Sequence, residues 1–247
     1  MYIIHKLKTR ALEDEYMDDF STGGAELREA LQHLRRLNWI FGNSGPVLQG
    51  IHKLWQQSGK PVQLSIIDIG AGSGDVNRRI LRWAERHHID IRITLVDITE
   101  EACAEARRLF HKEPRVKVWR MDLFQLAPNC ADMVVSSQFL HHFDQVKMAE
   151  VVRHMTNASR IGVVINDIHR HIIPWAAVWV TARLISRNRY IHHDGPLSVA
   201  KGFRSEDWIQ LERGIDPSLN MTYAWKPLFR YTVVIKKPQE GGNGCLT

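Results

Sequence analysis

Cysteine is scarce in this sequence and never paired. Three cysteines, Cys103, Cys130 and Cys245, occur in 247 residues, and no two form a Cys-x-x-Cys motif. An odd number of scattered cysteines argues against a disulfide scaffold and against a structural zinc site. We therefore expect the protein to reside in a reducing compartment, the cytoplasm.

Long apolar runs are also missing. The first ten residues mix basic and apolar side chains and do not resemble a secretory signal peptide. The most apolar stretch, residues 172–185, is interrupted by Pro174 and Arg183. It is shorter than the ~20 residues that a membrane-spanning helix needs. The sequence predicts a soluble protein in which this stretch is compatible with peripheral contact at a membrane.

No strong charge bias is present. The 33 basic and 27 acidic residues give a net charge of +6, and the basic ones are scattered. This balance permits an anionic partner without requiring one. Acidic residues cluster only near the start, at residues 11–20, which we interpret as an exposed acidic lead-in. With 44% hydrophobic residues, the chain can bury the core of one domain plus a helical annex.

A glycine-rich loop organises the sequence. Residues 65–75 read Ser-Ile-Ile-Asp-Ile-Gly-Ala-Gly-Ser-Gly-Asp, and apolar residues at helical spacing follow over 76–88. Strand, glycine loop and helix together predict a nucleotide-binding crevice. Dinucleotide-binding proteins carry G-x-G-x-x-G, whereas the third glycine here comes one residue early. This spacing disfavours a nicotinamide oxidoreductase, which is kept as an alternative.

Acidic residues end the strands that follow the loop. Asp97 closes a strand about 20 residues beyond the glycines, where a carboxylate grips a ribose diol in nucleotide-binding folds. Asp122 follows the third predicted strand. Asp97 therefore predicts a ribose site at the end of its strand, whereas Asp122 by itself could also be a plain loop acid.

The pattern Asp68-x-Gly70-x-Gly72-x-Gly74 resembles the first motif of class I S-adenosylmethionine (SAM)-dependent methyltransferases. The resemblance implies that Asp68 helps to hold the methionine amine, Asp97 the ribose and Asp122 the adenine amino group. One departure is Asp75, followed by Val76, where many relatives carry an aromatic or small residue. The implied cofactor is SAM, and the implied cofactor-binding residues are Asp68, Gly70, Ala71, Gly72, Gly74, Asp97, Ile98, Asp122, Leu123 and Ser137.

The same resemblance implies an α/β fold, a Rossmann-like seven-stranded class I methyltransferase sheet with an N-terminal helical annex. We expect the annex over residues 1–62, with its two helices covering the SAM site. The methyltransferase domain would span 63–237, with a helical insertion at about 170–200, and 238–247 would form a flexible tail. Two strands near the end would form a hairpin that adds one antiparallel strand to the sheet. Within residues 187–203, residues 192–198 are expected to form a loop with a turn at Gly195-Pro196.

The end of the fourth predicted strand, residues 137–144, resembles the Leu-His-His segment of small-molecule methyltransferases. It lacks the Asn/Asp-Pro-Pro-aromatic tetrapeptide of enzymes that methylate nucleic-acid amines, so no nucleic acid is expected as partner. Segments at 11–19, 34–38, 166–170 and 193–198 resemble a bacterial group associated with type III polyketide synthases. That group implies a small, apolar, phenolic acceptor, delivered from a polyketide synthase in secondary metabolism.

A phenol, with a pKa near ~10, must lose its proton before methylation, and an imidazole with a pKa of ~6.5 can accept it. His141 and His142 are the leading bases, followed by His169. O-methylation is favoured over C-methylation, although a deprotonated ring offers both nucleophiles. The residues expected to contact the acceptor are Asn38, Phe139, Trp175 and Trp179.

Other functions stay open at this point. The pairs at 169/171 and 192/193 could be metal ligands, but hard cations prefer oxygen donors and only Asn166 and Asp167 are near in sequence. We therefore expect no metal. An RNA methyltransferase that uses the basic region 183–204, or a catalytically silent SAM-binding protein, is the alternative function. The oligomeric state is open.

Overall fold

The computed structural model describes residues 7–18, 24–42 and 44–238, with the side chains of Ala25, Asn38 and Trp39 excepted. This part contains seven strands and eight α-helices. The strands are β1 (Gln63–Ile69), β2 (Asp90–Asp97), β3 (Val116–Arg120), β4 (Ala131–Ser137), β5 (Ser159–Ile168), β6 (Asn220–Lys226) and β7 (Arg230–Lys236). The helices are α1 (Ala25–Ile40), α2 (Ser44–Gln57), α3 (Asn77–Arg86), α4 (Glu100–Leu109), α5 (Gln145–Ala158), α6 (Ile172–Ile185), α7 (Arg189–Lys201) and α8 (Ser205–Gly214).

The seven strands form one sheet in the order β3-β2-β1-β4-β5-β7-β6. Strands β1 to β5 pair in parallel, and β7 runs antiparallel to β5. The strand order reverses between β1 and β4, which is the point where ligands bind in open α/β sheets. The predicted Rossmann-like, class I methyltransferase sheet and its C-terminal hairpin are thus confirmed.

Both faces of the sheet are covered, because neighbouring residues of its central strands point to opposite sides. Ile66 packs with α2 and α3 on one face, while Ile67 packs with α5 and α8 on the other. Both isoleucines are almost completely buried. Two-sided burial explains why the central strands are continuous apolar runs rather than alternating ones.

The two N-terminal helices have different roles. Helix α2 packs on the sheet, and Gly50 lets it approach so closely that a Cβ there would collide with Val164. Helix α1 instead packs against α6 and α7 in a small separate cluster that includes Leu27, Ala182 and Tyr190. Of the two, α1 alone lines the cavity described below, whereas both were expected to cover it.

The expected turn at Gly195-Pro196 is wrong, because both residues lie inside helix α7. Ile191, Asp194 and Leu197 are buried and three residues apart, as on one face of a helix. Their burial keeps this segment helical in the core, although it contains a proline. A Cβ on Gly195 would come within 3.1 Å of Val178 on α6. Gly195 therefore serves the close approach of α6 and α7 rather than a change of chain direction.

Within the described ranges, no helix has both the length and the apolar character required to cross a lipid bilayer.

Candidate active site

A cavity of about 630 Å³ opens at the carboxyl ends of β1, β2 and β4. Its wall combines the glycine loop, the turn that follows β4, helix α1 and the segment that precedes α1. Its volume is typical of a small-molecule site. We name two sides of this cavity, the glycine-loop side (Asp68, Gly70, Gly72, Asp97 and Asp122) and the histidine side (Glu15, Asp18, His141 and His142).

Two glycines of the loop are required for different reasons. Gly70 has φ +61°, and a Cβ there would collide with the ring of Phe139. Gly74 has φ +73°, and its Cβ would collide with Leu95. Gly70 therefore shapes the cavity wall, whereas Gly74 lets the loop pack onto β2 and does not line the cavity.

Asp68 is a buried carboxylate at the end of β1. It accepts a hydrogen bond from Asn77 Nδ2 at 2.5 Å, and it lines the cavity. Burial raises the pKa of Asp68 to about 7; the hydrogen bond from Asn77 opposes this rise, while the nearby charges of Asp75 and Asp97 add to it. An ammonium group placed beside this carboxylate would favour its ionised form.

Asp97 is held in place by the loop it faces. Its Oδ2 accepts from Gly72 N–H at 2.9 Å, and its Oδ1 accepts from Thr99 N–H and Oγ1 at 3.0 and 2.9 Å. Asp122 is similarly fixed, accepting from Phe124 N–H at 3.0 Å at the start of a short 3-10 helix, Leu123–Gln125. Both carboxylates are thus oriented before any ligand binds.

Nine of the ten residues predicted to bind the cofactor line this one cavity. They are Asp68, Gly70, Ala71, Gly72, Asp97, Ile98, Asp122, Leu123 and Ser137. The donor set, a glycine cradle with three carboxylates in sequence along its edge, fits a cationic amino acid joined to a nucleoside. These residues could therefore hold SAM.

His141 lies at the centre of the histidine side. It belongs to a 3-10 turn, Leu140–His142, directly after β4, and its side chain is 3% exposed. Its Nδ1 lies 2.7 Å from Asp167 Oδ1, and its Nε2 lies 3.6 Å from Glu15 Oε1. Burial alone would raise the pKa of Asp167, but the charge and hydrogen bond of His141 lower it, so this carboxylate is ionised. Two carboxylates therefore flank one buried imidazole.

His142 stacks on His141, with ring centroids 4.4 Å apart. Its side chain is 24% exposed, and its Nδ1 lies 2.8 Å from Asp18 Oδ1. Burial lowers the pKa of His142, but the negative charges of Glu15 and Asp18 outweigh burial and raise it overall. Burial alone would raise the pKa of Asp18, but its contacts with His142 and the charge of Lys201 lower this pKa to about 2.

The interpretation of residues 11–20 as an exposed lead-in is wrong for Glu15 and Asp18. Glu15 is 3% exposed, and its Oε1 has no hydrogen-bond partner among the described residues. Lys201 on α7 lies 3.6 Å from Glu15 and 3.4 Å from Asp18. The buried ammonium of Lys201 explains how Glu15 can be buried as a carboxylate and Asp18, 28% exposed, can be partly buried.

Asp194 holds the segment that carries these acids. It accepts from the backbone N–H groups of Tyr16 and Met17 at 2.9 and 3.0 Å. His193 stacks on the ring of Tyr16 at 3.8 Å. Burial raises the pKa of Asp194, although these hydrogen bonds oppose that effect. Helix α7 thus fixes the segment with one carboxylate and one stacked ring.

Of the remaining predicted site residues, only Phe139 is among the described residues that line the cavity. His169 does not line the cavity; its Nδ1 is 3.1 Å from Trp225 Nε1, and burial followed by the charges of His171 and two arginines lowers its pKa to about 4. Trp175 and Trp179 on α6 do not line the cavity, and Phe139 does. The side chain of Asn38 is outside the part of the structure that is described.

Three side chains of the histidine side could hold a metal ion. Ligand atoms of Glu15, His141 and His142 lie within 4.8 Å of one another. Lys201 already places a positive charge beside Glu15. A second cation would be repelled there, so the charges fit proton exchange between these groups better than metal binding.

Comparisons with known proteins identify a domain and a fold. Residues 66–162 match a family model described as a methyltransferase domain. The sequence matches no curated protein significantly. Among solved structures, the chain is similar to a SAM-dependent methyltransferase from Aquifex aeolicus (14% identity, TM-score 0.55), covering 85% of this chain and 98% of that one.

Two further structures share the fold. The plantazolicin methyltransferase BpumL, solved with SAH, is 14% identical with a TM-score of 0.63, over 85% of this chain and 90% of its own. Human N-acetylserotonin methyltransferase, solved with SAM, is 12% identical with a TM-score of 0.61, over 96% of this chain and 65% of its own. At these identities the structures support the fold alone.

The matched domain begins in β1 and ends in β5, and so includes the strands whose ends carry the predicted cofactor residues. A match to a methyltransferase-domain model and a SAM-compatible set of side chains coincide on the same strands, so this chain carries a SAM-dependent methyltransferase domain over residues 66–162.

Proposed function

We propose that this enzyme methylates the hydroxyl group of a small, apolar, phenolic acceptor, with His142 as the general base. The observation that carries the proposal is the histidine side, where an imidazole backed by a carboxylate lines the same cavity as the glycine loop. A sulfonium methyl group, which SAM supplies when bound, is electrophilic by itself. The protein therefore has to orient the acceptor and remove its proton.

His142 suits the role of base better than its neighbour. It is the more exposed of the two histidines. Asp18 Oδ1 lies 2.8 Å from Nδ1 outside hydrogen-bond geometry, and its negative charge favours the neutral tautomer that carries its proton on that nitrogen. Nε2 then keeps its lone pair and can accept the hydroxyl proton of the acceptor. The raised pKa of His142 keeps its basicity close to the working pH.

His141 acts as a positioning residue in this scheme. Asp167 and Glu15 flank its two ring nitrogens, and the ring supports His142 by stacking. The negative charges of Asp18 and Glu15 stabilise the imidazolium that forms on His142. The proton can therefore remain on His142 until product leaves.

Several apolar side chains line the cavity together with the histidine side. They are Met17, Leu31, Leu34, Phe139 and Phe143. Such a lining favours an acceptor with an aromatic or alkyl body and one polar group. The sequence resemblance to methyltransferases of type III polyketide synthase systems supports a phenolic polyketide as this acceptor.

The test uses purified enzyme, deuterated methyl-SAM and three candidate acceptors: an alkylresorcinol, its dimethyl ether and bulk transfer RNA. We expect mass spectrometry to show a labelled methyl group on the resorcinol alone, and deuterium NMR to show its signal at the methoxy position. A methyl group on a ring carbon would overturn O-methylation. Labelled RNA with unmodified resorcinol would favour the RNA methyltransferase alternative, and activity that is lost with a chelator and restored by Mg²⁺ would contradict the metal-free scheme.

A further inference from the structure

Helix α6 presents an apolar stripe to solvent. Five residues form this α6 stripe: Ile172, Ile173, Trp179, Val180 and Leu184. Their exposed fractions are 37%, 57%, 40%, 47% and 80%. Positions 173, 180 and 184 are seven and four residues apart, so they lie on one helical face.

The opposite side of α6 is already occupied. Pro174 and Ala182 are buried, and Val178 meets Gly195 of α7. Helix α6 thus already packs against the protein through its other side. The α6 stripe is therefore an additional apolar surface and not the core-facing side of the helix. Exposed apolar surface of this kind marks an interaction site in soluble proteins.

The chain segment that carries the α6 stripe is basic. No Asp or Glu occurs in residues 168–193, whereas Arg183, Arg187 and Arg189 are all exposed. Arg189 pairs with Glu26 of α1 at 3.1 Å. The attraction of this face for an anion therefore depends on Arg183 and Arg187.

Trp179 and Arg183 are arranged as at a membrane interface. The guanidinium of Arg183 lies 4.0 Å from the centre of the Trp179 ring, so a cation and an amphipathic aromatic ring share one spot. Tryptophan and arginine are favoured at the headgroup level, with aliphatic side chains inserted below.

We propose that the α6 stripe docks the enzyme on an anionic lipid bilayer. Its aliphatic residues enter the headgroup region, and Arg183 and Arg187 contact lipid phosphates. A second copy of the chain fits this face less well. A twofold contact through it would bring the arginines of two copies together, and like charges oppose such pairing.

The test sediments the purified full-length chain with sucrose-loaded vesicles of phosphatidylcholine, with or without phosphatidylglycerol. We expect binding to the phosphatidylglycerol vesicles and a decrease in binding as salt rises from about 0.1 M to 1 M. Leu184→Glu should lower the bound fraction at least about tenfold, since a charge enters the apolar stripe. Arg187→Gln should lower it about fivefold.

Matched variants separate the stripe from general surface effects. Val146, 82% exposed on α5, is an isolated apolar residue away from α6, so Val146→Glu should bind vesicles like the unmodified protein. Arg86→Gln serves the same purpose for charge. SAM affinity by calorimetry verifies that every variant is folded.

Three results would overturn the proposal. They are no binding to either vesicle, equal binding by Leu184→Glu, and a dimer in light scattering that Leu184→Glu dissociates while vesicles leave it unaffected. The last result would assign the stripe to a second copy. None of these readouts depends on methyl transfer, so the proposed reaction can fail without affecting this test.

Discussion

The two sides of the cavity are built in different ways. The glycine-loop side comes from residues that follow one another along β1, β2 and β3, each at the end of its own strand. The histidine side brings together residues 15 and 18, the turn after β4, the end of β5 and α7. The first is local in sequence, and the second exists only once the chain has folded. We therefore expect the glycine-loop side to control SAM affinity and the histidine side to control turnover.

The largest effect should come from removing the base. His142→Ala should lower kcat by roughly 10²- to 10⁴-fold, the usual contribution of a general base, and leave SAM affinity by calorimetry unchanged. His111→Ala, on the exposed surface, is the control. If His142→Ala weakens SAM binding as strongly as it slows turnover, the division into two sides is wrong.

On the glycine-loop side, Asp97→Ala should weaken SAM binding by roughly ten- to hundredfold, because charge-assisted hydrogen bonds are lost and the loop loses the acceptor of Gly72 N–H. Asp90→Ala, at the exposed start of the same strand, is the matched control. Calorimetry measures both. At saturating SAM, kcat of Asp97→Ala should stay within a few-fold of the unmodified enzyme, and a collapse of kcat would contradict the comparison.

The pH dependence of SAM affinity sharpens the comparison further. Since the pKa of Asp68 is raised to about 7, this group is mostly protonated at pH 6 and must lose its proton to pair with an ammonium group. Ionisation of Asp68 outweighs the partial loss of charge on the amine of SAM over this range, so affinity should rise about five- to sixfold between pH 6 and 7.5. Asp68→Asn should bind weakly at both pH values. A flat profile in the unmodified protein would remove Asp68 from the amine site.

The smallest effect concerns Glu15, whose negative charge raises the pKa of His142. In Glu15→Gln the pKa of His142 should fall, so His142 stays neutral at lower pH. The acid limb of the kcat–pH profile should therefore move to lower pH by up to about one pH unit. SAM affinity should not change. Glu13→Gln, exposed two residues earlier, should leave the limb in place. A shift to higher pH would contradict the assigned charge pattern.

The difference between the two sides also explains what the sequence could predict. Strand, glycine loop and strand-end acids follow short-range rules, so the sheet, the helix after the loop, and the positions of Asp68, Asp97 and Asp122 could be inferred from the chain alone. The roles proposed for these acids stay predictions. Gly74 shows the limit, since its glycine serves packing against Leu95 rather than the cavity.

The histidine side could be inferred only in part. His141 and His142 follow a recognisable strand, but the acidic run around Glu15 has the composition of a solvated surface. Its burial depends on Lys201, which is 186 residues away in sequence and carries no motif. Similarly, Gly195-Pro196 has the local signature of a turn, and tertiary packing of α7 against α6 overrides it. Long-range charge pairing and helix packing leave no local signal.

The contact between Asp194 and the segment before α1 uses backbone N–H groups of Tyr16 and Met17, not their side chains. Every residue type except proline offers such a group. Substitutions at positions 14 and 17, whose residues line the cavity, can therefore alter its wall while Glu15 and Asp18 keep their places. Acceptor preference can therefore change through substitutions in this segment while the residues that handle the proton stay in place.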